Sequence, residues 1–381
     1  MAGEGVISSL GAASTQYGYE VIVPDELDSG LVKVWRHFQQ VNPAYRNPFL
    51  SPDFAMLFGR HRDDARICVV TGPEGVVGFM PYCEGRLGTA TALGLGVSDA
   101  QGLVLGDCEI DLKVVLGELQ LSVFEFDHLV LPSAVHDDAQ VGGRVVLHPS
   151  PFVDTDGTWE DWLERKTKES KRITTARQKQ RKLEREHGEL RFDPDCRDAD
   201  VLNVLMDWKS AQYRRTSRSD RFAQAWLRQL VIDCFESRNE FFESRLSVLY
   251  AGDQIVNIDL SLLANGVLAG WFPAYNQELS RYSPGFVAML EMVRSAMSDP
   301  NISVLDMGKG GAPYKETLKT GDFWVGEGWI ESPSWKSTLW RTRTEPKRRV
   351  MSLVLGNPKL RVAARETLNR IGEVRTRIDR R

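Results

Sequence analysis

The hydrophobic positions between Leu246 and Met307 change period, and the change predicts an ordered run of elements. "LSVLY", "QIVNIDLSLL" and "VLAGWFPAY" are short runs rich in aliphatic, β-branched and aromatic residues, joined across "AGD" and then across Asn265-Gly266. Asn-Gly accepts positive φ at both positions, as a two-residue hairpin turn requires. The three runs therefore predict an antiparallel meander. After the polar loop "NQELSRYS", apolar Phe286, Met289, Leu290, Val293 and Met297 recur at spacings of three and four. This predicts a helix that opens at Ser283-Pro284, buries one face and ends near "SDPN". "ISVLDM" then reads as a further short, buried strand.

The first half carries a fainter copy of this order. "RICVVTGPEGVVGFMPYC" predicts two strands across Gly-Pro-Glu-Gly, "TATALGLGV" and "QGLVL" are candidate strands, "EIDLKVVLGELQL" is a candidate helix, and "FDHLVLP" is a closing strand. The repeat is one of topology, with little residue identity. It predicts an α/β protein with mixed sheets, built as two similar units in tandem. We place the first unit at 1–160, the second at 161–335 with a basic linker helix at its start, and a basic tail at 336–381.

Length and composition agree with that count, since 381 residues with 42% hydrophobic content can supply each unit with a core. "MAGEGVISSLGAAS" lacks both a basic region and an apolar core of the kind that directs export, so the cytoplasm is the expected location. The five cysteines are odd in number and contain no C-x-x-C pair, which argues against a disulfide framework or a zinc site, and we expect no metal. Leu260–Gln277 contains no charged residue, but Asn265-Gly266 and Pro273 mark it as two strands rather than a membrane span. All six histidines lie at or before His187, so a Ser-His-Asp or Cys-His site built within the second unit beyond its linker helix is excluded, whereas one spanning both units is not. Neither "GLGVSDAQG" nor "GKGGAPYK" has the spacing and context of a nucleotide-binding loop.

The net charge of −4 conceals two basic segments. Leu163–Arg185 holds ten Lys/Arg against three Glu, and Lys336–Arg381 holds fourteen against four acids. In the tail, Leu360, Ala364, Leu368, Ile371, Val374 and Ile378 follow helical spacing, which predicts an amphipathic basic helix. Such a helix suits docking on its own body or contact with an anionic membrane.

"NPFLSPDFA", "RKLEREHGELRF", "DWKSAQYRRT", "RYSPGFVAMLEMVRSAM" and "LDMGKGGAPYKETLKTG" follow one another as in the BioF2-like (CelD/BcsL) acyltransferases of the GNAT superfamily, which are related to the tandem-GNAT Fem transferases. The resemblance covers roughly Asn47 to Gly328. It implies an enzyme that moves an acyl group from acyl-CoA, with acetyl-CoA as the leading donor, to an amine or hydroxyl of a small-molecule or glycan acceptor. The family's association with cellulose points to a polysaccharide precursor, nucleotide-sugar or lipid-linked glycan, and to possible contact with a polysaccharide-synthesis complex or the inner membrane face. The rival implied by the Fem relatives is aminoacyl transfer from aminoacyl-tRNA, the one reading that involves nucleic acid. A non-catalytic partner of a synthesis complex is the third.

In the GNAT fold two parallel strands splay apart and the donor's pyrophosphate rests on a helix N-terminus. "RYSPGF" suits that role: Ser283 can cap the helix, Pro284 favours its first turn, and Gly285 exposes backbone N–H groups that lack intrahelical partners. Arg281, Tyr282 and Phe286 complete the expected donor site, which has one glycine where the superfamily loop Q/R-x-x-G-x-G/A has two. Lys315 matches a lysine that stabilises the developing oxyanion in the Fem relatives. Tyr314 is expected to hydrogen-bond donor or acceptor, and Asp306 to orient Lys315 or the attacking group. An Asp-Lys pair that merely staples a loop to the sheet would account for the same residues. Asp259 is the other available carboxylate. For the acceptor we expect Arg177, Arg181 and Lys182 on the linker helix, with Trp208, Lys209, Tyr213 and Arg214.

Overall fold

The computed structural model describes residues 17–130, 143–332 and 334–342. The amphipathic helix expected at 360–378 lies outside them. The first half contains β1 (Gly18–Ile22), α1 (Ser29–Val41), α2 (Pro52–Gly59), β2 (Ala65–Gly72), β3 (Gly75–Glu84), β4 (Thr89–Ala92), β5 (Val104–Leu105), α3 (Leu112–Glu118), β6 (Val123–Val130) and β7 (Gly143–Asp154). The second contains α4 (Trp159–Glu169), α5 (Lys171–His187), β8 (Leu190–Asp193), α6 (Ala199–Arg215), α7 (Ala225–Glu236), β9 (Glu243–Ala251), β10 (Gln254–Ala264), β11 (Val267–Tyr275), α8 (Pro284–Ser298), β12 (Val304–Asp306), α9 (Pro313–Leu318) and β13 (Gly321–Glu331).

The strands form one mixed sheet in the order β1-β2-β3-β4-β6-β13-β7-β12-β11-β10-β9-β8, with β5 added against β3. From either edge the succession is the same: four antiparallel strands, a parallel step (β4 to β6, or β11 to β12), and one strand of the central β13/β7 pair. The chain is thus two units of like topology in tandem, as the faint repeat predicts. Their last strands are exchanged. β7 follows β6 in sequence but pairs with β12 of the second unit, and β13 follows β12 but pairs with β6 of the first. A boundary drawn at residue 160 therefore divides the sequence but not the sheet.

The expected meander is β9–β10–β11, and its second turn has Asn265 and Gly266 at φ 49° and 80°. Leu260–Gln277 is accordingly part of the sheet, and no helix among the described residues is long and apolar enough to cross a membrane. Helix α8 buries more than the single predicted face. Leu290, Met292 and Val293 join one apolar cluster with β12, while Val287 and Ala288 join another that includes Leu183 of α5. It lies between the sheet and the linker helix.

The "NPFLSPDFA" stretch ties the halves together. Phe49 and Phe54 meet Trp271 of β11 edge-on at centroid distances of 5.6 and 6.1 Å, and the Trp271 indole Nε1 donates to the Val97 carbonyl of the first unit. Such pairs add about 0.5–1.5 kcal/mol each beyond area burial. Ser51 Oγ accepts from the Phe54 N–H and caps α2.

In the central ladder, Gly328 has φ +152°, and a Cβ placed there would run into the Arg144 backbone carbonyl. Gly328→Ala is expected to cost roughly 2 kcal/mol or more, read as a lower denaturation midpoint in urea. An unchanged midpoint would show that the β7/β13 pairing has slack.

Candidate active site

The two parallel steps make two V-shaped openings, and they differ. In the second unit β11 and β12 pair only from Val267↔Val304 to Ala269↔Asp306, after which β11 runs on to Tyr275 without a partner on that side. In the first unit β4 and β6 pair only from Thr89↔Val123 to Thr91↔Glu125, but there the gap is filled. The Gln101 backbone bridges to β6 on both sides, donating to the His128 carbonyl at 2.9 Å and accepting from the Val130 N–H at 2.8 Å. Its side-chain oxygen accepts from the Asp127 and His128 N–H groups, while its Nε2 donates to Asp127 Oδ1 at 2.7 Å and Ser98 Oγ at 3.1 Å. Every polar atom of Gln101 is satisfied by the wedge it forms. The second opening is the cleft in which a substrate can be placed.

Three carboxylates converge on this cleft. Asp306, only 3% exposed, ends β12 and accepts three hydrogen bonds: Asn47 Nδ2 donates to Oδ2 at 2.9 Å, the Gly308 N–H donates to Oδ1 at 2.8 Å and Ser150 Oγ donates to Oδ1 at 3.3 Å. Burial pushes its pKa up to about 6, against the opposing Gly308 hydrogen bond. Asp259 on β10 accepts from Asn257 Nδ2, and burial likewise raises it to about 6. Asp99, from the first unit, has its side chain 27% exposed and its Oδ1 3.4 Å from His128 Nε2. Its Oδ2 lies close to Gly308. Burial raises its pKa, while His128 and Lys315 oppose the rise. His128 Nδ1 in turn lies 3.1 Å from Asp127 Oδ1. For Asp127, burial is outweighed by hydrogen bonds from His128 and Gln101, so its pKa falls.

Two lysines face these acids. Lys315 Nζ donates to the Gly308 carbonyl at 2.8 Å and the Lys309 carbonyl at 3.2 Å, which holds the glycine-rich loop against α9. Burial lowers its pKa, and Asp99 and Asp306 raise it. Lys209 of α6, 9% exposed, donates to the Pro273 carbonyl on the splayed part of β11 at 3.0 Å, with its ammonium 5.6 Å from the Tyr213 ring centre. Burial brings it down to about 8. Tyr314 is half-buried beside Phe286, at 6.4 Å between ring centres, with its phenol pushed up to about 12 by burial and then by Asp259.

The structure thus gathers Lys315, Tyr314, Asp306, Lys209 and Tyr213 at one cleft. Asp306 and Lys315 share no direct hydrogen bond; they interact through charge, and each is anchored to the loop between them. Asp99 and His128 were not singled out in the sequence. Neither lies in a recognisable motif, and only strand exchange and the Gln101 wedge bring them to the second unit's cleft.

At the donor end the expected residues are present with altered roles. Ser283 takes a left-handed conformation (φ 56°, ψ 52°) and its side chain makes no capping bond, because its hydroxyl accepts from Lys179 Nζ at 2.8 Å. Pro284 begins α8, and a Cβ on Gly285 would approach only Asn257 Oδ1, at 3.9 Å, leaving open space beside the first turn. Arg281 turns away to Glu186 at 3.2 Å, and the buried Tyr282 hydroxyl donates to the same carboxylate. Lys179, not Arg281, is the cation at this helix N-terminus. The positive helix end and one ammonium coincide there, while the Phe286 and Val287 N–H groups donate to the Ser283 carbonyl at 3.0 and 3.1 Å.

Of the expected acceptor residues outside the cleft, Arg177 and Arg181 are exposed on α5, whose buried positions are Ile173, Ala176 and Leu183. Lys182 is also exposed, 3.8 Å from Glu186. Trp208 packs on the core, and Arg214 is bound to Asp220 and Ser210. Among the described residues no group of three His, Cys, Asp or Glu side chains is arranged to hold a metal ion. A surface concavity of about 760 Å³ lies by the Asn265-Gly266 turn and contains none of the cleft groups.

Residues 170–316 match the family model described as an acetyltransferase (GNAT) domain. The second unit is thus similar to a GNAT acetyltransferase domain. Among solved structures, FemX is 10% identical, over 85% of this chain and 99% of that one, with a TM-score of 0.55. A tandem GNAT protein from the clavulanic acid biosynthesis pathway is 11% identical, over 84% and 100%, with a TM-score of 0.45. The C-terminal domain of a putative lysylphosphatidylglycerol synthetase from Agrobacterium fabrum is 13% identical, over 82% and 96%, with a TM-score of 0.47. At such identity the likeness to FemX is one of fold. No curated protein matches the chain.

The raised carboxylates set a pH dependence. An Asp whose pKa is about 6 when folded and ~4 when unfolded holds its proton more tightly in the native state, so its contribution to stability falls as pH rises through that window. Asp306→Asn should therefore gain stability relative to the parent between pH 4 and about 6, measured as urea midpoints across pH. A difference that is constant over this range would contradict the raised value.

Proposed function

We propose that the chain transfers an acyl group from acyl-CoA, with acetyl-CoA as the leading donor, to an amine or hydroxyl of a sugar-containing acceptor. Polysaccharide precursors, nucleotide-sugars and lipid-linked glycans are the acceptors this reading favours, at the cytoplasmic side of the membrane. The observation that carries it is the open β11/β12 cleft, with an anion-ready α8 end and two lysines beside three carboxylates, opposite a first-unit opening closed by Gln101.

The acyl thioester lies along the unpaired edge of β11 with its phosphates toward Gly285 and Lys179. The acceptor's nucleophile attacks the thioester carbonyl, the C–S bond breaks and thiolate leaves. Lys315, a fixed cation in a water-poor cleft, stabilises the charge that develops on the carbonyl oxygen. Asp306 is held by three hydrogen bonds and acts as the anchor of the loop. Asp99, with Oδ2 turned to the cleft, is the carboxylate with room to take the acceptor's proton. Lys209 and Tyr213 line the acceptor side.

One observation favours aminoacyl-tRNA as an alternative donor: the outward face of α5 presents Arg177 and Arg181 to solvent. Tight, salt-sensitive tRNA binding would support it.

The test is calorimetric titration with acetyl-CoA, followed by thiol release with a panel of amino- and hydroxy-sugar acceptors. Gly285→Glu should abolish donor binding by placing a carboxylate at the α8 N-terminus. Lys315→Ala should bind donor normally and lose about 100-fold or more in turnover, the scale of a lost oxyanion donor. Absence of binding by the parent chain, or unchanged turnover in Lys315→Ala, would overturn the proposal.

A further inference from the structure

Two arginines at the mouth of the cleft have no part in the account so far. Arg218 and Arg221 lie just after α6, and neither forms an ion pair with a described residue. The carboxylate nearest them in sequence, Asp220, is engaged by Arg214 Nη1 at 3.1 Å and by Ser210 Oγ. The half-buried Arg221 guanidinium lies across the first unit's loop at Gly96. A Cβ there would meet its Nη1 and Nη2 at 2.5 and 2.6 Å, and Gly96 has φ +78°, so the loop backbone is shaped to admit it. The next residue, Val97, accepts the Trp271 hydrogen bond, and Asp99 follows two residues later. The guanidinium is therefore held on the wall of the cleft by a contact between the units.

The two arginines act on the same groups as the cleft itself. The Arg218 backbone N–H donates to the Tyr213 carbonyl at 2.9 Å, which ties it to the end of α6; the Tyr213 phenol feels both Arg221 and Arg218, and the Lys209 ammonium feels Arg218. Two permanent cations without carboxylate partners among the described residues, near enough to act on a buried lysine and a tyrosine hydroxyl, match a multiply charged oxyanion. Guanidinium forks bind phosphate oxygens in pairs.

We propose that Arg218 and Arg221 form an oxyanion subsite that holds a phosphate monoester or diphosphate carried by the acyl acceptor. This rests on the reading of the cleft as the transfer site, and it narrows the acceptor class to phosphorylated or nucleotide-linked compounds. The anion enters from the α6 side, across the cleft from the α8 N-terminus. Donor and acceptor phosphates would then occupy opposite ends, with the thioester carbonyl between them.

The full chain is first titrated with coenzyme A to fill the α8 end and then with inorganic pyrophosphate. The Arg218→Gln/Arg221→Gln double variant, the single Arg218→Gln variant and Lys168→Gln are run in parallel. Lys168→Gln removes an exposed charge on α4. Pyrophosphate is expected to bind the parent and Lys168→Gln alike, and at least about 10-fold more weakly to the double variant, as for lost charge-assisted hydrogen bonds. Arg218→Gln should fall between them, and it decides the matter if the double variant does not fold. No pyrophosphate binding by the parent, or equal affinity in the variants, overturns the subsite. Pyrophosphate binding that the variants lose, in a chain that does not bind coenzyme A, upholds the subsite and removes the donor reading instead.

Discussion

The antiparallel ladder between β7 and β13 is the constraint on which the rest of the molecule depends. It runs from Gly321↔Phe152 to Ile330↔Gly143, and each strand continues outward into the half of the sheet that the other half's sequence built. Neither unit can complete its sheet alone. The exchange fixes the relative placement of the units to the precision of a hydrogen-bonded register, which a loose interface between domains would not do. That is why a first-unit asparagine can meet Asp306, and a first-unit aspartate can enter the second unit's cleft.

With the halves locked, the same fold motif takes two fates. The parallel step of the first unit is wedged by Gln101, whose backbone and amide satisfy the strand edge from within the chain. The equivalent step of the second unit leaves β11 without a strand partner on that side beyond Ala269, where Lys209 reaches in to the Pro273 carbonyl. Burial then does the electrostatic work. Carboxylates pushed toward neutrality and lysines pulled down from their ordinary range share a cleft where charge interactions are weakly screened. Such an arrangement costs stability and is retained at sites that do chemistry.

The second unit was the legible half. The meander, α8 and β12 follow from residue periodicity, and Asn265-Gly266 announces its turn. Lys315, Tyr314, Asp306 and Lys209 stand in local motifs, and the structure brings their side chains to one cleft. The linker helix was visible as a charge run, although composition alone did not show that its inner side holds Lys179 against Ser283. Three features were not legible. The strand exchange pairs residues some 180 positions apart, and nothing in "HPSPFV" or "GDFWVGEGW" names its partner. Asp99 and His128 belong to the first unit and become functional candidates only through tertiary packing. Arg281 appeared to be the donor-site cation because it is next to the helix start in sequence, yet Glu186 captures it in space. In each case a long-range contact decided what local pattern left open.

Of the two equivalent openings, only the second is expected to accept the donor. Amide hydrogen exchange with and without acetyl-CoA separates them. Slowed exchange is expected along β11 at 271–275 and in the first turn of α8, with no change around β4 and Gln101. Protection around Gln101 and β6, or none anywhere in the chain, would contradict it.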